Sequence, residues 1–424
     1  MKELAPADLR FAAIVRPADT VVWGQAASEP FALTSALMAQ RHEIGGFGAF
    51  IGISWSDAVQ PAFADVVRFL SYCGGGRNRA LAQAGALDIL PCHYSELGAL
   101  MRAGRLAVDV ALVQVAPADE QGRFSLSLAG DYLVPALAQA RVVVAEINAQ
   151  APRTHGPHFL TAGQIDFAVH TERAPLAPPA AKGHPAEAAV ARNVAGLIED
   201  GMTIQTGIGS LPDAIALQLG NRRDLGFHSG AMGDGAAALI RAGVITNARK
   251  TIDTGVSVAG CLMGGSALNA LADRNPALQV RSVDYTHAPH VLASIDRLAT
   301  INAAIEVDLT GQVNAEIAAG VYVGAVGGAV DFVRGARASR GGLPVIALPS
   351  RTGGKADAAR VVARLQGPVS TARSDAVVVV TEHGVADLRG LSLAQRVARM
   401  IAVAHPDDRE PLAREAHSML PVRD

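Results

Sequence analysis

"GMTIQTGIGSLPDAIALQLG", residues 201–220, decides the fold class of this chain. It contains an apolar run, a turn rich in small residues, and a helical pattern that starts near Pro212. Gly207 and Gly209 permit a sharp turn and close approach of a ligand to the backbone, and proline suits the first turn of a helix. The free N–H groups of that first turn attract anions. A strand, a glycine turn and a helix in this order predict one α/β unit.

Similar units are predicted along the whole chain. "DVALVQVAP" (109–117), "ARVVVAEIN" (140–148) and "LPVIALPS" (343–350) are runs of apolar residues bounded by turn residues. Such runs are typical of buried parallel strands. Helical patterns lie between them, as in residues 185–201, where Gly201 is a suitable C-terminal cap. We therefore expect an α/β fold with mostly parallel sheets.

Two pairs of segments indicate that the chain consists of two related halves. Residues 19–38, "DTVVWGQAASEPFALTSALM", repeat the order of residues 201–220: strand, small-residue turn, proline, helix. Residues 109–126 and 299–316 share a strand, an acidic residue, a glycine and a return to apolar residues. Similarities this weak also arise by chance in α/β proteins, so duplication and coincidence both remain open.

A stretch rich in proline and alanine separates the two halves. "RAPLAPPAAKGHPAE" (173–187) favours extended backbone and resists helix formation. We therefore expect an N-terminal domain over residues 1–173, a linker over 174–187, and a C-terminal domain over 188–424.

Composition excludes several classes of protein. The 424 residues carry a formal net charge of −2 and no basic stripe, which argues against nucleic acid as a partner. The sequence contains no uninterrupted run of about 18 apolar residues, so it predicts no membrane span, and the amino terminus does not resemble a signal peptide. Cys73, Cys92 and Cys261 lack Cys-x-x-Cys spacing, which favours buried thiols and a cytoplasmic location. His155 and His158 have no third ligand at useful spacing, so we expect no metal site.

Two further segments could contribute to a site. "GAVGGAVDF" (324–332) is a second glycine loop that leads into a helix, and two such loops favour a shared cleft. "VTEHGVADLRG" (380–390) places Glu382 and His383 near a strand end, although it could equally be a helix start. The chain contains no Gly-x-Ser-x-Gly and no His-Glu-x-x-His pattern, so serine hydrolases and zinc proteases are excluded.

The segment "LGFHSGAMGDG" (225–235) combines a strand end with a tight connection. His228 and Ser229 lie where a strand could present reactive side chains, yet Gly230 contributes none.

Eight motifs follow one another in a fixed order along the chain. They are "ALVQVAPADEQGRFSL" (111–126), "VVVAEINAQAPRTHG" (142–156), "ARNVAGLIEDGMTIQTGIGSLPDA" (191–214), "GVITNARKT" (243–251), "INAAIEVDLTGQVNAE" (301–316), "VGGAVDFVRGA" (326–336), "IALPS" (346–350) and "VTEHGVADLRG" (380–390). With these motifs the chain resembles the acetyl-CoA hydrolase/transferase family over nearly all of residues 10–415. This resemblance implies two open α/β domains of the NagB/RpiA-like CoA-transferase architecture, with an acyl-CoA substrate bound between them. It also implies a carboxylic acid as second substrate, a homo-oligomer, and no metal or prosthetic group.

The resemblance also implies a mechanism. In this family a glutamate carboxylate attacks the thioester to form an acyl-glutamyl anhydride, and CoA then forms a glutamyl-CoA thioester that a second acid resolves. Backbone N–H groups stabilise each oxyanion. The residues implied to bind CoA are Gly207, Ile208, Gly209, Ser210, Val326, Gly327 and Gly328.

This chain departs from the family at the nucleophile. Against the family segment "LGxHTEMxSDGxxDL", His228, Ser229 and Asp234 match, but the glutamate position falls on Gly230. An asparagine of some members falls near His287.

Without that glutamate, the catalytic residue is unassigned. Ala325 also replaces the first glycine of the family's Gly-Val-Gly-Gly loop, whereas the glycine turn at 205–214 is kept. The weak candidates for a catalytic residue are Ser229, Asp234, His228 and Glu382.

Three hypotheses remain at this stage. The chain could hydrolyse a short-chain acyl-CoA, or transfer its CoA to a carboxylate, by a route without the glutamate. It could instead be an acyl-CoA binder that lacks activity, or a partner subunit of an active homologue. In the third, the register is shifted and Glu306 or Glu316 acts as the nucleophile.

Overall fold

Two large β-sheets form the framework of the protein. The computed structural model describes residues 1–180, 183–354 and 357–419. Within these residues, two eight-stranded sheets are accompanied by three small ones. The first large sheet is parallel throughout, and the second is parallel except for its last strand. The predicted α/β fold with mostly parallel sheets is confirmed.

The first sheet is built from residues 2–171, and its strands run in the order β1-β10-β8-β6-β2-β3-β4-β5. Its helices cover it because apolar strands must be buried on both faces of a parallel sheet. The strands of this half, including the small pair β7 and β9, are β1 (Lys2–Leu4), β2 (Thr20–Trp23), β3 (Phe47–Ile51), β4 (Val67–Ser71), β5 (Leu87–Ile89), β6 (Val110–Val115), β7 (Arg123–Ser125), β8 (Val142–Asn148), β9 (Phe159–Thr161) and β10 (Phe167–Thr171). The helices are α1 (Phe31–Ala39), α2 (Arg41–Ile44), α3 (Asn78–Gln83), α4 (Leu97–Arg102) and α5 (Leu133–Gln139).

The second sheet is built from residues 203–387, and its strands run in the order β14-β13-β12-β11-β15-β20-β22-β23. The strands of this half are β11 (Thr203–Thr206), β12 (Gly226–Met232), β13 (Ser257–Leu262), β14 (Leu278–Val280), β15 (Leu298–Ala303), β16 (Glu306–Asp308), β17 (Val313–Asn314), β18 (Ile317–Ala318), β19 (Val321–Tyr322), β20 (Leu343–Ala347), β21 (Val361–Val362), β22 (Val378–Thr381) and β23 (Gly384–Asp387). The helices are α6 (Glu187–Ala195), α7 (Ser210–Gln218), α8 (Asp234–Arg241), α9 (Ser266–Ala272), α10 (Val283–Thr286), α11 (Pro289–Ala293), α12 (Ala329–Ala338), α13 (Leu393–Val403) and α14 (Pro406–Met419).

The two sheets share one strand order. Starting from β5 or from β14, the first seven strands of each half follow the same relative order along the chain. The eighth strand differs, because β1 is the first strand of its half and pairs parallel, whereas β23 is the last strand of its half and pairs antiparallel. The predicted repeats at 19–38 and 201–220 fall on β2–α1 and β11–α7, which are equivalent units. The topology therefore favours duplication over coincidence.

The helix predicted over residues 185–201 ends earlier than its sequence pattern. Helix α6 stops at Ala195, and Gly201, with φ +76°, lies in a later turn rather than at the helix cap. The physical reason is a tertiary contact, because the Arg222 guanidinium donates to the Ala195 carbonyl at 2.9 Å. The proposed linker reaches the first residue of α6, and its residues 181 and 182 lie outside the described residues.

The halves are joined by backbone hydrogen bonds between β13 and residues 128–131. The Leu262 N–H donates to the Leu128 carbonyl at 2.7 Å, and the Gly130 N–H donates to the Gly260 carbonyl at 2.9 Å. Leu128 packs in the core of the second half, while Cys261 packs in a core of the first. Apolar contacts therefore cross the junction in both directions, and each half contributes residues to a core of the other.

The cysteines are buried free thiols, as the sequence favours. None of the helices in the described part of the chain combines the length and the apolar composition that a membrane span requires.

Candidate functional site

A pocket of about 180 Å³ opens between the carboxyl ends of the two sheets. Ligands of open α/β sheets bind at this edge because the loops that follow the strands meet there. The first half contributes Gln25, Ile53, Tyr72 and Tyr94. The second half contributes Gln205, Thr206, Gly207, Ile208, Ser229, Gly230, Ala231, Met263, His287, Asn302, Gly328, Ala329 and Phe332.

Gly230 lies at this pocket, near the end of β12, and the space beside it is filled by a histidine. A Cβ atom built on Gly230 would lie 2.6 Å from Cε1 and 2.7 Å from Nε2 of His287. A Cβ on Gly328 would lie 2.5 Å from the same Nε2. Two glycines on different elements therefore leave the room that the His287 ring occupies.

Neighbouring rings fix the position of His287. Its ring centroid lies 4.9 Å from that of Tyr94 and 4.8 Å from that of Phe332. Nδ1 is 2.9 Å from the Thr286 hydroxyl, whereas Nε2 has no hydrogen-bond partner among the described residues. Burial, assisted by His228, lowers the pKa of His287 to about 3, so the imidazole is neutral near pH 7.

His228 lies on the same face of β12 as Gly230, but it does not line the pocket. Its Nε2 is 3.1 Å from the Thr286 carbonyl, and the side chain is fully buried. Burial, followed by the charge of Lys250, lowers its pKa to about 3. His228 therefore supports the short helix α10, and the structure does not bring it to the pocket.

Ser229 points to the other face of the strand, as alternation along a strand requires. It lines the pocket, but its hydroxyl donates to the Thr206 carbonyl at 3.0 Å. That bond joins β12 to β11 and directs the hydroxyl hydrogen away from a substrate.

Asp234 and Glu382 are also held in structural contacts outside the pocket. Both carboxylate oxygens of Asp234 accept from the Gly265 N–H, at 3.1 and 3.0 Å. Glu382 accepts from the N–H and the hydroxyl of Ser350, at 2.8 and 2.6 Å. Burial acts to raise the pKa of Glu382, but these hydrogen bonds lower it below its usual value.

The alternative glutamates are also engaged elsewhere. Glu306 accepts from the Asn314 amide and from backbone N–H groups of residues 366 and 367. Glu316 accepts from Tyr322 at 2.8 Å and from Ser370 at 2.6 Å. Neither lines the pocket, so the structure gives no support to a shifted register.

The first glycine loop reaches the pocket through part of its length. Gly207 and Ile208 line it, while Gly209 and Ser210 lie beyond the lining residues. Gly209 has a backbone φ of +109°, a conformation that residues other than glycine rarely adopt. Ser210 begins α7 and donates to Glu187 at 2.7 Å, which ties the loop to α6.

The second glycine loop is held by the first half of the chain. The Tyr94 N–H donates to the Gly327 carbonyl at 3.0 Å, and the Gly74 N–H donates to the Gly324 carbonyl at 2.8 Å. Of the three residues predicted to bind CoA in this loop, only Gly328 lines the pocket. The loop leads into α12, whose first turn presents the carboxylate of Asp331 to the Ser95 hydroxyl at 2.7 Å.

The sequence did not predict the buried polar network that forms one wall of the pocket. The Gln25 amide donates to Tyr94 at 2.8 Å and to Asp131 at 2.7 Å, and it accepts from Tyr72 at 2.7 Å. Burial raises the pKa of Asp131 to about 6, although hydrogen bonds from Gln25 and others lower it. Gln25 lies in the turn after β2, so the repeat between 19–38 and 201–220 was the available signal.

The polar lining of the pocket is uncharged. The amides of Gln205 and Asn302 exchange hydrogen bonds of 3.2 and 3.3 Å. Among the described residues, neither lysine nor arginine lines the pocket.

Comparison with known families assigns both halves. The model of the acetyl-CoA hydrolase/transferase N-terminal domain matches residues 7–177, and that of the C-terminal domain matches residues 264–416.

Individual relatives match over most of their length. The chain is 38% identical to a 4-hydroxybutyrate coenzyme A transferase from Clostridium kluyveri, covering 93% of each chain. It is 34% identical to a succinyl-CoA:cyclohexane-1-carboxylate CoA transferase from Geobacter metallireducens, covering 96% of this chain and 94% of the relative.

Solved structures match the fold as a whole. RipA from Yersinia pestis superposes with a TM-score of 0.91 at 32% identity, covering 99% of this chain and 98% of RipA. A 4-hydroxybutyrate CoA-transferase from Porphyromonas gingivalis superposes with a TM-score of 0.83 at 31% identity, with the same coverage.

Proposed function

Because this chain belongs to the acetyl-CoA hydrolase/transferase family, we propose that it binds a short-chain acyl-CoA between its sheets and acts on the thioester. The observation that carries this function is the pocket, on which both glycine loops and the end of β12 converge. The relatives are named as transferases that use CoA esters of small carboxylic acids, in agreement with this substrate class.

The reaction proceeds without the family's glutamate. The residue at that position is Gly230, and its neighbour His287 fills the space into which a side chain would extend. Hydrolysis of the thioester, or transfer of CoA to a carboxylate, must then use another group. Backbone N–H groups of the glycine loops are suited to stabilise the oxyanion.

The acyl group is neutral and small. A second carboxylate in the acyl chain would lose its hydration in a pocket that offers it amide groups but no cationic lining residue among those described. Ile53, Met263 and Phe332 instead offer apolar contacts to a short aliphatic chain.

The CoA moiety follows the two loops. We assign its binding to Gly207, Ile208, Gly209, Ser210, Val326, Gly327 and Gly328. The free N–H groups at the start of α7, with the Gly209 conformation that opens that turn, support this assignment. The domain division at residues 174–187, the homo-oligomer and the cytoplasmic location also remain predictions.

The function is tested with a panel of acetyl-, propionyl-, butyryl- and succinyl-CoA. Free thiol and exchange of CoA are followed with and without acetate as acceptor. We expect turnover of the monocarboxylic esters and at least about tenfold less with succinyl-CoA, because its second carboxylate has no partner. If no ester gave either hydrolysis or exchange, the protein would not be an enzyme of this class.

A second function is favoured by the missing side chain at Gly230. Loss of a nucleophile can abolish turnover while leaving ligand binding intact, as in a non-catalytic acyl-CoA binder or partner subunit. Calorimetric titration with CoA and acetyl-CoA distinguishes this case: binding without turnover supports it, and no binding of any thioester excludes it.

A further inference from the structure

On the basis of the function proposed above, we propose that Nε2 of His287 is the nucleophile, and that this chain is an acyl-CoA hydrolase rather than a CoA-transferase. The imidazole occupies the space that a side chain at position 230 would enter, and it lines the same pocket.

Two glycines give the ring access to that space. A Cβ at Gly230 or at Gly328 would lie 2.7 or 2.5 Å from Nε2, which is closer than van der Waals contact allows. Gly230 belongs to β12, whereas Gly328 precedes α12, so the two openings are independent features of the chain. Both converge on one atom.

Hydrogen bonds set the tautomer that a nucleophile needs. The Thr286 hydroxyl donates to the Ser282 carbonyl at 3.3 Å, and its oxygen lies 2.9 Å from Nδ1 of His287. With the hydroxyl hydrogen directed to Ser282, Nδ1 carries the ring proton and donates to Thr286. Nε2 then has a free lone pair and no partner among the described residues, and the lowered pKa of the ring keeps it unprotonated.

The reaction balances without another reagent than water. The Nε2 lone pair forms a bond to the thioester carbonyl carbon, the C–S bond breaks, and CoA leaves as a thiolate. Water then adds to the acyl carbon of the cationic acylimidazole, releases one proton, and the C–N bond breaks, so that the carboxylic acid leaves and the neutral imidazole is restored. The proton released by the water passes through solvent to the thiolate, which gives CoA as the free thiol.

This nucleophile determines hydrolysis over transfer. A glutamate can hold first the acyl group as an anhydride and then CoA as a thioester, because it supplies a carbonyl carbon. An imidazole supplies only nitrogen, so it can hold the acyl group but cannot form a thioester with CoA. CoA therefore leaves before an acceptor acid can take it from the enzyme.

The test compares His287→Asn with His290→Asn, a matched change at an exposed histidine on α11. We expect the wild type and His290→Asn to hydrolyse acetyl-CoA at equal rates, unaffected by acetate. His287→Asn should lose at least about 100-fold in rate while its calorimetric affinity for CoA stays within about threefold. Retained affinity shows that this variant is folded.

The intermediate is detected by mass spectrometry after a single turnover stopped with cold neutral guanidinium. We expect the intact wild type to gain the mass of one acetyl group, and we expect peptide masses to place that group on the peptide that contains His287. Full hydrolysis by His287→Asn, an acetyl group on a carboxylate, or no adduct on that peptide would overturn the nucleophile. Each of these outcomes contradicts the assignment of His287 and is compatible with hydrolysis by the wild type. If the wild type hydrolysed none of the esters, the proposed function itself would be wrong.

Discussion

At the scale of single residues, three positions depend on one another. His287 occupies the space that side chains at Gly230 and Gly328 would need. Burial also keeps the ring neutral, since an imidazolium would lose its hydration there. A neutral ring that cannot easily take a proton has a consequence for stability as well as for reactivity.

We predict that His287→Asn weakens the dependence of stability on pH below 6.5. The pKa of His287 is about 3 in the folded state and about 6.5 when unfolded. Between these values the unfolded chain binds more protons, so the free energy of unfolding falls as pH falls. Urea denaturation at pH 7.0 and 5.0 should show a smaller loss for His287→Asn than for the wild type. His228 keeps part of the effect, and Asp131, which acts in the opposite direction, is present in both proteins.

His290→Asn is the control, and its loss of stability should equal that of the wild type because this side chain is exposed. Equal losses for His287→Asn and the wild type would show that the ring titrates normally in the folded protein.

At the scale of elements, the pocket depends on hydrogen bonds from the first half to the glycine loop and to the first turn of α12. The 3-10 helix Tyr94–Glu96 contacts the glycine loop through Tyr94, and Ser95 donates to Asp331 through both its N–H and its hydroxyl. Burial raises the pKa of Asp331, and the bonds from Ser95 lower it. The loop at 324–328 is therefore shaped by residues far away in the chain.

We predict that Ser95→Ala loosens this loop. Removing the hydroxyl takes one hydrogen bond from a partly buried carboxylate and costs about 1–2 kcal/mol. Hydrogen exchange of amides at 324–330 should become faster, and the KM for acyl-CoA should rise. Ser392→Ala, which removes the N-cap of α13, is the control and should leave those amides unchanged. Unchanged exchange in Ser95→Ala would contradict the claim that the hydrogen bonds from Ser95 to Asp331 hold this loop.

The sequence allows prediction of elements more readily than of their ends or of the site. The apolar runs at 109–117, 140–148 and 343–350 became β6, β8 and β20, because burial on both faces of a parallel sheet leaves a local signal. The end of α6 could not be predicted, since it depends on Arg222 from the connection between α7 and β12.

The candidate site was only partly predictable for the same physical reason. Gly230 is visible in the sequence, but the ring that fills the space beside it comes from His287, 57 residues later. The four weak candidates for a catalytic residue lie at or near strand ends, but their side chains form hydrogen bonds that stabilise the fold. They are Ser229, Asp234, His228 and Glu382. Which atoms meet across a fold is not encoded in local spacing.

At the scale of the whole molecule, the two halves share the order of seven strands, and each contributes residues to a core of the other. Ala27 and Leu128 of the first half pack into the core of the second, and Cys261 and Met263 pack in the opposite direction. The backbone pairing of β13 with residues 128–131 crosses the same junction. Each half alone would expose apolar surface that the other covers.

We therefore predict one cooperative unfolding transition rather than two. Because each half contributes residues to a core of the other, losing one half exposes the packing surface of the other. Scanning calorimetry should give a single peak whose calorimetric and van 't Hoff enthalpies agree. Two resolved transitions, or a calorimetric enthalpy near twice the van 't Hoff value, would show that the halves unfold independently.

The most direct test of the account is CoA exchange between acetyl-CoA and labelled acetate, measured in the wild type, Gly230→Glu, His287→Asn and the double variant. We predict exchange in the double variant alone, since Gly230→Glu by itself would place a Cβ 2.6 Å from the His287 ring. Exchange by the wild type, or by Gly230→Glu alone at the rate of the double variant, would contradict the claim that His287 occupies the place of the carboxylate.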